Sequence, residues 1–366
     1  MLIFISLIAV ALAACSPQRT EESFEVLSRL REPVPAGVVE REAITYEVSG
    51  RAGQAYLYRP AERSWLAPVV LVPGVAPRGR DDPRLANFAQ QMAAARFLVL
   101  VPEIENLRRL QVGPADAVAI ADAVVEAERR SKSGMPVGLV GISYAVGPTV
   151  LAALDARLEG RVSFILSIGG YYSSPAVITF FTTGAYREAE DEEWAWMEPN
   201  PKGKWVFVLS NIDEVESPED RELLRAMSET KLSNVNAEIN GLAARLGPEG
   251  QSILALLENR DPDRVPELLQ ALPAGLRNRM NALDLARRDL SGLELPVLLL
   301  HGRNDAIIPY TESLALKDAL PPGGGDLYLL DNFSHVELEE PSLEDTLTLL
   351  SLVYSVLRER DEAAEP

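Results

Sequence analysis

The chain of 366 residues contains one cysteine, Cys15, and two histidines, His301 and His335. A single cysteine excludes an internal disulfide framework and, with so few histidines, a Cys/His metal cluster. Positive charge is scarce as well: 35 Lys and Arg stand against 54 Asp and Glu, a formal net charge of −19. That balance argues against a nucleic-acid partner, which needs a basic face, and it repels an anionic membrane surface. The sequence holds no Walker loop, no dinucleotide fingerprint and no HExxH string, so no cofactor is implied. The apolar run Leu2–Ala14 falls short of the about 20 residues that span a bilayer.

That run suits the core of a signal peptide. It ends in Leu12-Ala13-Ala14-Cys15, which resembles a bacterial lipobox. The resemblance implies cleavage before Cys15 and lipidation of Cys15. Several acyl chains, at about 0.8 kcal/mol per buried methylene, would anchor the protein to a membrane. Ser16 is similar to the residue that follows the cysteine in outer-membrane lipoproteins, which implies the periplasmic face of the outer membrane. Residues 1–14 are therefore expected to be a lipoprotein signal peptide and 15–42 a tether, with a short helix at 21–31.

From residue 43 the texture changes. Two alternating runs around Ser49–Gly53 predict a β-hairpin. Val69–Val72 and Phe97–Val101 are continuous apolar runs, as expected for strands buried on both faces. Helical spacing over 85–92 and 114–131 separates these runs and the next, Val137–Ile142. Strand-like Val162–Ile168 follows. Such alternation predicts a doubly wound, mostly parallel sheet. It stops at Gly169 and resumes at Leu295–Leu300. Residues 171–290 read as a largely helical cap insertion, with Trp194 and Trp196 candidates for its rim or its packing. Lys204–Leu209 has strand character inside it, as an extra strand or a displaced sixth one. A helix at 311–320, a strand at 326–330 and a helix at 342–358 complete the fold, with a frayed tail from Asp361.

The stretch Val137–Gly147 reads VGLVGISYAVG: an apolar strand, a small-residue turn with Ser143 at its apex, then apolar residues at helical spacing. Gly141 and Ala145 leave room for a strained backbone. This Gly-Ile-Ser-Tyr-Ala string resembles the nucleophile elbow of the α/β-hydrolase fold, with Ala145 in place of the last glycine. The resemblance covers two blocks, 43–170 and 291–360, and implies an α/β-hydrolase core.

It also implies a set of roles. The family's order is serine, acid after the seventh strand, histidine after the eighth. Ser143, Asp305 and His335 occur in that order and at those positions. His301-Gly302-x-x-Asp305 is similar to the turn that often carries the acid. Ser143 would then be the nucleophile, His335 the base and later the acid, and Asp305 the orienting carboxylate. Asp213, beyond the run ending at Leu209, is the alternative acid, and His301 is expected to pack or hydrogen-bond within its turn. Backbone N–H groups of Tyr144 and Val75 are the candidate oxyanion donors.

The expected function is hydrolysis of a small-molecule carboxylic ester through an acyl-serine. The alternatives are a peptidase or thioesterase on the same scaffold, or a non-catalytic envelope lipoprotein that binds through the cap.

Overall fold

The computed structural model describes residues 16–131, 134–189 and 191–364. Cys15, with its expected lipidation, and the apolar run before it lie outside these described residues. An eight-stranded sheet forms the centre. We number its strands β1 (Val39–Val48), β2 (Arg51–Pro60), β3 (Ala67–Val72), β4 (Phe97–Pro102), β5 (Val137–Ile142), β6 (Val162–Ile168), β7 (Val297–Gly302) and β8 (Gly325–Leu330). Their order across the sheet is β1-β2-β4-β3-β5-β6-β7-β8.

β1 and β2 form an antiparallel hairpin closed by Ser49 and Gly50. Both turn residues have positive φ, 52° and 75°, as a two-residue turn matched to strand twist requires. β2 is antiparallel to β4, and from β4 to β8 every pairing is parallel. The expected doubly wound, mostly parallel sheet is present. Every residue of β3, β4 and β7 is buried, which is why β3, β4 and the stretch Val297–Leu300 of β7 read as apolar runs.

Alternate side chains face opposite ways along a strand. Val70 and Val72 therefore join one apolar layer, with Ile120 and Val124 of the helix Pro114–Ser131 and Leu316 of the helix Thr311–Ala319. Val69 and Leu71 join the other. That second layer is completed by Leu85 and Met92 of α2 (Pro83–Ala94) and by Leu349 and Leu352 of the C-terminal helix α12 (Leu343–Ala364). The helices Pro114–Ser131 and Thr311–Ala319 are α3 and α11 in this numbering, and the helix that follows β5, Val146–Ala153, is α4.

The insertion between β6 and β7 carries α5 (Ser174–Thr183), α6 (Gly203–Ser210), α7 (Pro218–Ser233), α8 (Pro248–Glu258), α9 (Val265–Ala271) and α10 (Ala274–Leu283). They share their own apolar cluster, which includes Leu224, Met227, Leu256 and Leu257. The run Lys204–Leu209, expected to be a strand, lies in α6. Trp205 and Val208, three residues apart, are its buried side chains. β-propensity reflects fit to a half-buried sheet surface, and here the burial follows helical spacing instead.

The segment expected to be a tether with a short helix at 21–31 carries α1 (Pro17–Arg29), which starts four residues earlier, and β1 already begins at Val39. Ser16 caps α1, its hydroxyl accepting from the Arg19 N–H, and Pro17 opens the helix. α1 is fastened to α12: Arg19 Nε lies 2.9 Å from Asp361 Oδ2, and Arg360 grips both Glu22 oxygens at 2.6 and 2.9 Å. Arg360 is only 2% exposed and also donates to the Ala95 carbonyl. The Ser16 N–H donates to the Tyr354 hydroxyl at 3.0 Å. These long-range charged contacts also explain why the tail from Asp361 is helical to Ala364 rather than frayed. No described helix is long and apolar enough to cross a membrane.

Candidate active site

Ser143 follows β5 on a sharp turn and has φ 57°, a left-handed conformation that a non-glycine residue holds only under constraint. Gly141 makes the turn possible. A Cβ there would stand 2.8 Å from Thr149 Oγ1 and 3.1 Å from Val146 Cα. Position 145 needs no glycine: Ala145 has helical φ and ψ and is fully buried, which accounts for the variant ending of the motif.

Ser143 Oγ lies 2.8 Å from His335 Nε2. His335 Nδ1 lies 2.9 Å from Asp305 Oδ2. An ionised carboxylate only accepts, so Nδ1 carries the proton and Nε2 accepts from the serine hydroxyl. Asp305 is wholly buried at the end of β7. Its Oδ1 accepts the N–H groups of Ile307 and Ile308 at 2.8 and 3.0 Å, which fixes the carboxylate plane. Burial alone would push the Asp305 carboxyl up. The hydrogen bonds from His301 and His335 outweigh it and hold the group well below the usual carboxylate range. His335 has φ 56°, on the tight turn after β8. That turn packs onto the end of β7 because Gly302 has no side chain: a Cβ there would overlap the Phe333 carbonyl oxygen.

The structure thus brings Ser143, His335 and Asp305 into one line. Asp213 lies elsewhere. It is exposed on the turn Ile212–Glu214 and accepts from Gln111 Nε2 at 3.0 Å, so it does not join the Ser143–His335 line. The run before it is helical, which carries Asp213 away from any strand end. Sequence reading missed the full part of His301. Its Nδ1 is 2.7 Å from Ser313 Oγ, and its Nε2 is 2.9 Å from the Ile308 carbonyl and 3.4 Å from Asp305 Oδ2. The i, i+4 spacing of His301 and Asp305 was the available signal.

Ser143 opens a helical turn that runs into α4. The Tyr144 N–H in that first turn has no intrahelical acceptor and sits at the positive end of a helix dipole. Val75 and Gly74 line the same cavity as Ser143 and His335. The arrangement can polarise a hydroxyl and offer backbone N–H groups to a developing oxyanion. Among the described residues no group of three or more His, Cys, Asp or Glu is arranged to hold a metal ion.

The cavity at Ser143 has a volume of about 710 Å³. Among the described residues of the 171–290 insertion, none lines it. On that side Tyr144 packs into the insertion's apolar cluster and against Tyr171, whose hydroxyl donates to the Leu283 carbonyl. Trp194 bonds Asp263 and stacks with Arg187, and Trp196 is 58% exposed; neither reaches the cavity. Glu312, also missed by sequence reading, accepts the N–H groups of Tyr172 and Ser173 at 2.9 and 2.7 Å where the insertion begins. Burial, reinforced by nearby Asp284, pushes its carboxyl up to about 7 despite those bonds.

No family model matches the chain, and none of the curated proteins does. Solved structures do. The rice cell wall degrading esterase LipA from Xanthomonas oryzae is similar over 92% of this chain and 94% of its own, with a TM-score of 0.51 and 14% identity. A single-site mutant of that esterase gives 0.50 over 90% and 93%, again at 14% identity. Brefeldin A esterase, described as a bacterial homologue of human hormone sensitive lipase, gives 0.48 over 95% and 86%, at 15% identity. With the strand order, the LipA likeness shows that the chain has the α/β-hydrolase fold.

Proposed function

We propose that the protein is a serine hydrolase that cleaves a carboxylic ester through an acyl-serine. The observation that carries this reading is the unbroken line from Ser143 Oγ to His335 at 2.8 Å and from His335 to buried Asp305 at 2.9 Å. His335 Nε2 takes the Ser143 proton as Oγ attacks the ester carbonyl carbon. The negative oxygen of the tetrahedral intermediate accepts from the Tyr144 and Val75 N–H groups. Collapse breaks the bond to the alcohol oxygen, which leaves with the proton from His335. Water then gives a proton to His335 and attacks the acyl-serine. The acid departs and Ser143 regains its proton. Asp305 stabilises the imidazolium formed in both halves.

Labelling of the purified protein with a fluorophosphonate tests the reading. Labelling that Ser143→Ala and His335→Ala both abolish supports an activated serine; an unlabelled wild-type protein overturns it. Turnover of short p-nitrophenyl esters without turnover of aminoacyl anilides separates an esterase from a peptidase.

The reading extends to attachment to a bacterial envelope through a lipid on Cys15, on the periplasmic face of the outer membrane. The Leu12–Cys15 string supports it. Cys15→Ser is expected to release the protein from membranes, and unchanged partitioning refutes the attachment.

A further inference from the structure

The cavity does not end at the reacting groups. From Ser143 and His335 it runs down between α2 and α12, on the opposite face of the sheet from α3 and α4, as far as Val26 of α1 and Leu30 just after it. Its walls are Phe88 and Met92 on one side, Leu352 and Val356 on the other, and Phe97 on the sheet. These positions belong to the apolar layer between the sheet and its two covering helices. Space there, in a layer that is normally close-packed, is a built feature with a reactive serine at one end.

Two of the polar side chains along it are engaged. Gln91 spends its side-chain N–H on the Arg29 and Glu32 carbonyls at 2.8 and 2.6 Å. Arg84 is paired with Asp82 and Glu337 at the serine end. What remains, beside Arg31, Asn87 and Ser334, is a mostly apolar space that offers dispersion contacts from the serine to α1 but few hydrogen-bond partners. An unbranched hydrocarbon chain fits those terms, while a sugar or a peptide would leave its polar groups unpaired.

We infer that this space is an acyl channel, and that the substrate is an ester of a long, linear fatty acid. The inference rests on the proposed hydrolase reading and names the substrate class for it. The acyl side is assigned by the order of events. α1 lies across the far end, so a leaving alcohol placed there would have to withdraw past the acylated serine. An acyl chain stays in place until water frees it. α1, the segment expected from sequence to be a tether, thus supplies the channel's end wall.

The test has two arms, both on the full chain. In the first, kcat/KM is measured on p-nitrophenyl esters from acetate to palmitate, and on acetate esters of alcohols of increasing length. The acyl series is expected to rise by about fourfold per added methylene over the first several carbons, the gain expected for burying each one. Val356→Trp and Val26→Trp, on different helices, are each expected to lower the ratio of long-chain to short-chain kcat/KM by at least tenfold, with thermal melting checking their folding. A flat acyl series beside measurable turnover overturns the inference, as does a rise confined to the alcohol series. In the second arm, Ser143→Ala is titrated with the fluorescent fatty acid cis-parinaric acid. Binding that palmitate displaces and butyrate does not supports the channel, and absence of binding overturns it. If no ester is hydrolysed and no fluorophosphonate reacts, the hydrolase reading fails, and the second arm still decides whether the channel holds an acyl chain.

Discussion

Nε2 of His301 lies 3.4 Å from Oδ2 of Asp305, the same oxygen that His335 engages at 2.9 Å. Both histidines of the chain therefore converge on one buried carboxylate. Because Nε2 of His301 also faces the Ile308 carbonyl at 2.9 Å, it carries the proton, and Nδ1 accepts from Ser313. His301 acts on the reaction only through Asp305. His301→Phe removes a weak donor to a charged group and leaves the Ile308 carbonyl unpaired. A loss of roughly tenfold in kcat with KM little moved is expected, since a hydrogen bond to a charge is worth about 1.5–3 kcal/mol when well formed. Steady-state kinetics on p-nitrophenyl acetate check this, and a variant with wild-type kcat refutes the positioning role.

Asp305→Asn keeps the shape but lets the amide present N–H to His335 Nδ1, favouring the wrong tautomer. A fall in kcat on the order of 10⁴-fold is expected, as in serine triads generally. Asp213→Asn, remote from the site, is expected to leave kcat within twofold. The opposite pattern would make Asp213 the acid after all.

Gly141→Ala drives a methyl against Thr149, whose hydroxyl is held by the Ala145 carbonyl at 2.7 Å and which is fully buried. Overpacking of this kind costs about 1–3 kcal/mol. Urea unfolding measures it, and slower fluorophosphonate labelling is expected alongside, because the same contact displaces the elbow.

Glu312 gives a pH signature. Its folded value of about 7 lies above the ordinary 4.5, so the folded chain holds more protons between those values than the unfolded chain does. Its contribution to stability is therefore fully present below 4.5 and is lost as pH rises through 7. The span is on the order of 3 kcal/mol. Glu312→Gln keeps an oxygen for the Tyr172 and Ser173 N–H groups and removes the titration. Urea midpoints compared at pH 5 and pH 8 should show the variant gaining relative to wild type at the higher pH. Parallel curves for the two proteins refute the assignment.

Arg360→Met leaves Glu22 and Asp361 without their buried partner. Breaking a buried pair this way costs about 3–5 kcal/mol locally. The loss should appear as faster hydrogen exchange and earlier proteolytic cleavage over residues 17–29, ahead of global unfolding. Unchanged protection of α1 would show that Val26 and Leu27 hold it without the ion pairs.

The core was legible in the sequence because each buried strand is a short apolar run and each covering helix carries a periodic face. Ser143, Asp305 and His335 were legible for a related reason: strand ends fix where they stand, and strand ends show in the pattern. α1 was not. Its attachment depends on Arg360 and Asp361 reaching Glu22 and Arg19 across most of the chain, and such pairing leaves no local trace. α6 misled because Trp205, Val206, Phe207 and Val208 favour strands when taken singly, whereas their burial is decided by the packing of α7 against them. The space between α2 and α12 was invisible too, since its lining residues read as ordinary core.

The hydrogen bond from the Ser16 N–H to Tyr354 has a mechanical meaning. Ser16, the first described residue, is thereby held on the flank of the last helix. Force or torque applied there passes into α12, and α12 forms one wall of the space that leads to the serine. A pull on Ser16 is thus felt at the wall of that space before it is felt at the sheet.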